Sequence, residues 1–235
     1  MKTCRDISCK ECSVRYSSIF CNSDSSDISL IEAAKSYRLY KKGEILFTEG
    51  TPARALLCIR TGKIKISQGG AYGREHIMAL AAQGDVLGYR AILDDGIYSS
   101  TAIALEDSQV CFIPATVFSD LLKQNNGLAL KISILLAAEL KEANSKLIAT
   151  AQQPVKERIA QSLLFMVKYY GFEPDGATIN MVITREELAN MAGTTRETAT
   201  RMLYAMRDSG ILGLPGKKIT VRDIRLLEGL SHAEG

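Results

Sequence analysis

Met191–Ser209 reads MAGTTRETATRMLYAMRDS, a glycine turn followed by a helix that carries Arg196, Glu197, Thr200 and Arg201 on one face. Met202, Leu203 and Met206 fall on other turns and can face a core. Arg and Glu near a helix N-terminus suit base edges in a DNA major groove: Arg donates to guanine O6 and N7, and Glu accepts from cytosine N4. Upstream, Thr184-Arg185-Glu186-Glu187 opens a preceding helix through LANMA, and Gly193 marks the turn between the two. Helix, glycine turn and polar-tipped helix make the helix-turn-helix pattern. Thr184 with Glu187, and Thr194 with Glu197, both have capping-box spacing, so Glu197 is open to capping its own helix. Capping alone gives no reason for Arg196 and Arg201 beside Thr200. The expected DNA-facing set is Arg196, Glu197, Thr200 and Arg201, joined by Thr184, Arg185 and Thr195 at the two helix starts.

The downstream segment ILGLPGKKITV, from Ile211 to Val221, reads as a two-stranded hairpin with a basic tip. Such a wing puts Lys217 within reach of phosphates.

At 235 residues the chain can hold two domains, each with its own core. No apolar run reaches the length of a membrane span and no secretory signal opens the chain, so the expected setting is cytoplasmic, without membrane contact. A net charge of +3 is too small to serve as a basic field, so DNA binding must rest on placed residues. No nucleophile, base and orienter recur together, no phosphate loop is present, and two histidines leave little scope for acid–base work. An enzyme is not expected. His76 reads as a barrel-surface residue and His232 lies in the tail, so haem is poorly served.

Four of the six cysteines, Cys4, Cys9, Cys12 and Cys21, crowd into the first 21 residues; Cys58 and Cys111 lie far downstream. A reducing compartment gives little value to structural disulfides, and clustered cysteines there more often bind metal or sense redox change. On spacing alone an iron–sulfur cluster, a zinc site and a thiol–disulfide switch all remain open.

Four parts follow along the chain. Residues 1–25 carry the cysteines with no sustained apolar period, a segment that needs a ligand or a neighbour to order it. Residues 26–126 begin with a short helix near Ile28–Ala34 and continue as short β-prone runs punctuated by glycine: GEILFTEG, ALLCIRTG, KIKISQGG, REHIMALAAQGDVLG and YSSTAIALEDSQVCFIP. This pattern predicts an antiparallel β-barrel or jelly roll within an α+β chain. Residues 127–151 are free of Pro and Gly beyond Gly127, and Leu136, Leu140, Ala143 and Leu147 recur at 4-3-4 spacing, a seam for a second copy of the helix. Residues 152–235 open with Pro154 at a first helical turn and a helix over Val155–Tyr170 that turns Ile159, Leu163, Met166 and Val167 inward.

A jelly roll, a long dimer helix and a winged helix-turn-helix, with GEILFTEG, IRTGKIKI, GDVLGY, VCFIP, ELANMAGTTRETATRML and SGIL, resemble the cAMP receptor protein/FNR superfamily of bacterial transcription regulators. The resemblance runs from about residue 9 to about residue 225. Cyclic-nucleotide binders of that superfamily hold the phosphate with an Arg-Ser pair; here the matching stretch reads Tyr98-Ser99-Ser100-Thr101-Ala102, with no arginine. A buried phosphodiester without a cation is an uncompensated charge. Cyclic-nucleotide sensing is therefore not expected, although Arg90 lies close in sequence.

The cysteines are similar to those of the FNR branch, which senses oxygen with a 4Fe–4S cluster. The resemblance implies Cys9, Cys12, Cys21 and Cys111 as its ligands, Cys111 by its place in VCFIP. The interval from Cys12 to Cys21 is longer than that branch's usual spacing, which leaves Cys4 as an alternative to Cys21. It further implies a homodimer that binds double-stranded DNA when the cluster is intact at low oxygen, and contact with RNA polymerase. The palindromic site would have TGTGA-like half-sites on the Arg-Glu-x-x-x-Arg pattern, or TTGAT-like ones because Thr200 stands where FNR-type proteins carry Ser. A regulator of the same fold with another input, such as nitric oxide, a small effector or a dithiol, is the alternative.

Overall fold

Strand alternation organises the first half. In β3 (Ala55–Thr61) Leu56 and Cys58 face one side of the sheet and Leu57 and Ile59 the other, and both sides are covered. The computed structural model describes residues 8–69 and 75–231. They divide into two compact units, with the boundary after Glu139. Cys4 and His232 lie outside the described residues.

The other strands of the first half are β1 (Ser36–Tyr40), β2 (Ile45–Phe47), β4 (Ile64–Gly69), β5 (Glu75–Ala81), β6 (Val86–Leu87), β7 (Thr101–Ala104) and β8 (Ser108–Pro114). They form two four-stranded sheets, ordered β1-β8-β3-β6 and β2-β7-β4-β5. The expected barrel does not close. Each sheet ends on strands that do not pair with the other, which makes the architecture jelly-roll-like. Leu57, Ile59, Ile64, Ala102 and Val110 fill the space between the sheets. Gly62 makes the β3–β4 turn at φ 100°, and a Cβ there would lie 2.7 Å from the Ser108 Cα, so only glycine fits.

The outer face of the first sheet is covered by helices α1 (Ser25–Ala34), α3 (Ala115–Gln124) and the start of α4 (Asn126–Gln152), while the short α2 (Tyr89–Leu93) follows β6. Asp24 caps α1 by accepting from the Asp27 N–H, and the helix buries Ile28 and Ile31, one turn apart. Their partners are Leu56, Ile113, Phe118, Leu121 and Phe20. Each such fully buried side chain contributes about 1.5–3 kcal/mol of transfer free energy. The N-terminal segment is held by this neighbour: Phe20, 5 % exposed, anchors it in the core. A 3-10 turn over Ser13–Ser17 precedes that anchor and buries none of its own residues.

The second half carries α5 (Val155–Tyr170), α6 (Arg185–Met191), α7 (Arg196–Asp208), β9 (Leu212–Gly213), β10 (Thr220–Val221) and α8 (Ile224–Ser231). Ile159, Leu163 and Met166 are buried as the spacing predicts, with Leu188, Leu203, Met206 and Leu227; Val167 and Met202 are only half-buried. β9 and β10 pair antiparallel, giving the expected wing. Among the described residues no helix is long and apolar enough to cross a membrane.

Candidate functional site

Cys58 and Cys111 stand opposite each other in the antiparallel β3–β8 ladder. Period-two alternation puts both on the face that α1 and the N-terminal segment cover. Cys9 and Cys12 reach the same place from the N-terminal segment, and these four cysteines line one cavity with Phe20 and Lys35. Three expected ligands, Cys9, Cys12 and Cys111, are therefore brought together. Cys21 does not line the cavity. Its Sγ accepts from Lys131 Nζ at 3.2 Å, and the same ammonium donates to the Ile19 carbonyl at 3.1 Å. Cys58 is a neighbour that sequence reasoning leaves aside, because its pairing with Cys111 depends on strand register.

Cys9 is fixed by its surroundings. Its backbone N–H donates to the Glu32 carboxylate, and its thiol accepts from Lys35 Nζ at 3.2 Å. Burial pushes the Cys9 thiol up to about 11, against the lowering effect of Lys35. Burial pushes Cys58 further up, and negative charge on Cys111, Cys9 or Cys12 adds to that. All five described cysteines are free thiols. Among the described residues no three metal-ligating side chains already converge. The donor set is soft and suits iron–sulfur or zinc, with convergence left to the binding event.

A second cavity takes in part of the Tyr98–Ala102 stretch and is lined by residues including Phe47, Tyr89, Arg90, Tyr98, Ser99, Ser100 and Glu139. Phe47 and Tyr98 stack with ring centroids 3.9 Å apart. Arg90 Nε lies 3.8 Å from a Glu139 carboxylate oxygen, and the Tyr89 hydroxyl is buried beside the same carboxylate. Among the described residues Arg90 is the arginine that lines this pocket, and a phosphate entering it would also meet the Glu139 carboxylate.

In the second half, Thr184 and Glu187 form a reciprocal capping box at the start of α6. The corresponding box on α7 does not form. Thr195, one residue after the expected Thr194, is the N-cap and accepts from the Thr198 N–H. Glu197 takes no part in that cap, so its carboxylate stays with Arg196 and Arg201 on the exposed face. Thr200 and Arg185 are half-buried; Ala199, Leu203 and Met206 hold the opposite face to the core. Gly193 makes the turn at φ 60°. Sequence reasoning misses Tyr204, which is 48 % exposed, with the Arg207 guanidinium 4.6 Å over its ring. Its position four residues after Thr200 is the signal that could have found it. At the wing, Lys217 is exposed, and Lys218 is tied to Glu173 at 2.8 Å.

Along α4, Leu128 and Ile132 are buried, Leu136 is half-buried, and Leu140, Ala143 and Leu147 are exposed. The expected seam is therefore an apolar stripe on the surface of the single chain.

Residues 37–125 match the cyclic nucleotide-binding domain model, and residues 157–230 match the Crp-like helix-turn-helix domain. The chain is 30% identical to a cyclic AMP receptor protein of Thermus thermophilus over 204 residues, which is 86% of this chain and 92% of that one. It is 32% identical over 232 residues to a fumarate and nitrate reduction regulatory protein of Vibrio cholerae, covering 97% and 88% of the two chains. FixK2 from Bradyrhizobium japonicum superposes with a TM-score of 0.74 at 26% identity, over 86% of this chain and all of that one. These relatives are transcription regulators, not enzymes, and on the fold, the helix-turn-helix and this similarity the chain belongs to the CRP/FNR family of DNA-binding transcription regulators.

Proposed function

We propose that this regulator senses oxygen through a cysteine-bound 4Fe–4S cluster and that its loaded homodimer binds a palindromic DNA site. The observation that carries this reading is the cavity where Cys9, Cys12 and Cys111 meet within a CRP/FNR fold. Cys9, Cys12, Cys111 and a fourth thiolate hold the cluster; for that place the resemblance to the FNR branch names Cys21, with Cys4 as its substitute. When bound, the cluster supplies an oxygen-labile link between its ligands. The chain's own part is mechanical. Cys9 and Cys12 tie the N-terminal segment to Cys111 on β8, whose C-terminal end leads through α3 into α4. With that end held, Leu136, Leu140, Ala143 and Leu147 pack against the same stripe of a second copy. Two α7 helices then lie about 34 Å apart, one turn of DNA. Loss of the link loosens the segment and weakens the dimer, a two-state element biased by its ligand.

At the DNA, Arg196 and Arg201 read guanine and Glu197 reads cytosine, while Thr184, Arg185, Thr195, Thr200 and Lys217 position the helix and wing. The half-sites are TGTGA-like or TTGAT-like, and RNA polymerase is a further partner. We divide the chain into a cysteine-rich segment (1–25), a sensory domain (26–126), a dimer helix (127–151) and a DNA-binding domain (152–235), all acting in the cytoplasm. Support against a cyclic nucleotide comes from the Tyr98–Ala102 stretch, which carries no arginine, and from the Glu139 carboxylate that lines the second cavity beside Arg90.

The test is iron, sulfide and zinc content with the visible spectrum, on protein purified without air and then exposed to it, followed by binding to a palindromic duplex. About four iron and four sulfide per chain, bleaching in air, with DNA affinity lost alongside, is the expected result. Equal affinity before and after air would overturn the reading. Zinc in place of iron would leave the DNA-binding half and remove the oxygen sensor.

A further inference from the structure

Resting on the iron–sulfur reading above, we infer that Cys58, not Cys21, supplies the fourth thiolate, so that all four ligands line one cavity.

The strand pair comes from register. Cys58 and Cys111 are directly opposed residues of an antiparallel ladder, and such partners have Cβ atoms about 4.5–5.5 Å apart on one face of the sheet. Their two thiols stand side by side before any ligand binds. The second pair, Cys9 and Cys12, lines the same cavity. Cys9 and Cys58 also pack against one hydrophobic core, the one that holds Phe20, Ile28 and Ile31. Two strands of a sheet cannot slide to bring in a different residue without turning Leu57 and Ile59 out of the inter-sheet core. The strand pair is therefore the fixed half of the site. The arm carrying Cys9 and Cys12 belongs to neither sheet, so no strand register sets its place.

Cys21 is placed against this role. Phe20, immediately before it, is buried and lines the cavity, and the chain turns the next side chain elsewhere, onto Lys131. Recruiting Cys21 would require its side chain to turn from Lys131 toward the cavity that Phe20 lines. The long interval between Cys12 and Cys21 then has a structural meaning: it spans from the cavity wall to the Phe20 anchor and closes no ligand loop.

The test compares wild type, Cys58→Ala and Cys21→Ala, all purified without air, by iron and sulfide content and by visible and electron paramagnetic resonance spectra. Far-ultraviolet circular dichroism and a thermal melt check that each variant folds. Cys58→Ala is expected to hold at least roughly tenfold less iron, and Cys21→Ala to match wild type. In loaded wild-type protein, iodoacetamide is expected to modify Cys21 at the same rate as after removal of iron by a chelator, a readout that needs no variant. Loss of iron from Cys21→Ala, protection of Cys21 that appears only on loading, or a full complement in Cys58→Ala would each overturn the assignment. Wild type without iron or sulfide would instead overturn the sensing reading itself, so the two failures are distinguishable.

Discussion

The guanidinium of Arg158 donates from Nε to the carbonyl of Ala192 at 2.8 Å, joining α5 to the end of α6 at the helix-turn-helix turn. Its other nitrogens donate to Gln153 at 2.7 Å, Gly193 at 3.2 Å and Thr150 at 3.4 Å. One planar fork thus satisfies carbonyls from the last turn of α4 and from the turn before α7, groups that helix ends leave without partners. Arg158→Ala is expected to lower stability by about 1.5–3 kcal/mol, read from the midpoint of urea unfolding. Arg158→Lys should recover less than half of that, because an ammonium cannot reproduce the fork. Full recovery by lysine would mean that charge alone matters at this position.

Capping and reading are separable on α7. Thr195→Ala is expected to cost about 1 kcal/mol of stability, while Thr195→Asp keeps it. Glu197→Gln should leave the melting temperature unchanged and alter preference at one base pair by about 1–3 kcal/mol, measured by fluorescence anisotropy on duplexes varied at single positions. A stability loss in Glu197→Gln as large as that of Thr195→Ala would return the carboxylate to the cap.

Arg201 and Lys217 have different partners in the proposed complex. Arg201→Ala should weaken the best duplex by about 1–3 kcal/mol and relax one position of the site. Lys217→Ala should weaken all duplexes alike and reduce the salt slope of binding by about one. A sequence-selective loss in Lys217→Ala would contradict its phosphate role.

Leu140 and Leu147 are 63% and 70% exposed on the single chain. A lysine at either place puts a charge into the proposed seam. Leu140→Lys or Leu147→Lys should shift the protein from dimer to monomer in sedimentation velocity, with the melting temperature of the monomer little changed. A dimer that survives both substitutions would locate the interface elsewhere.

Asp175 makes the turn before the Thr178–Thr220 bridge. It accepts from the Thr178 hydroxyl at 2.6 Å and from the N–H groups of Thr178 and Ala177 at 2.8 and 3.0 Å. The Thr178 hydroxyl, with these two amides, holds the carboxyl down to about 2. A group depressed in the folded state adds stability above its ordinary value, roughly 4, and loses it as pH falls through the folded one. Melting temperatures of wild type and Asp175→Asn should therefore converge as pH drops from about 4 to about 2, because wild type alone loses this contribution. A constant difference across that window would show that the carboxylate's charge contributes nothing.

Much of this protein was legible before folding because the signals are local. Caps, glycine turns and period-3.6 apolar spacing act within a few residues, so Thr184, Gly193 and the Leu203/Met206 face could be read directly. So could the strand runs and the inward side of α5. β1 and α8 escaped notice. In SYRLY only Tyr40 is buried, so the run has little apolar alternation and owes its place to pairing with β8. The one-residue shift of the α7 cap from Thr194 to Thr195 reflects a competition between two adjacent threonines that spacing cannot decide.

By itself the sequence determined the order of strands and helices and the helix-turn-helix pattern, and its resemblance to a known family pointed to Cys9, Cys12 and Cys111, which line the first cavity. Only the tertiary structure decided that the two sheets remain open, that Glu197 is released from capping, and that Cys58 stands beside Cys111 while Cys21 is held by Lys131. The physical reason is range. Helix faces and caps follow from the chain's own short period, whereas the neighbours of a strand residue follow from register, and register is settled by the packing of both sheet faces at once.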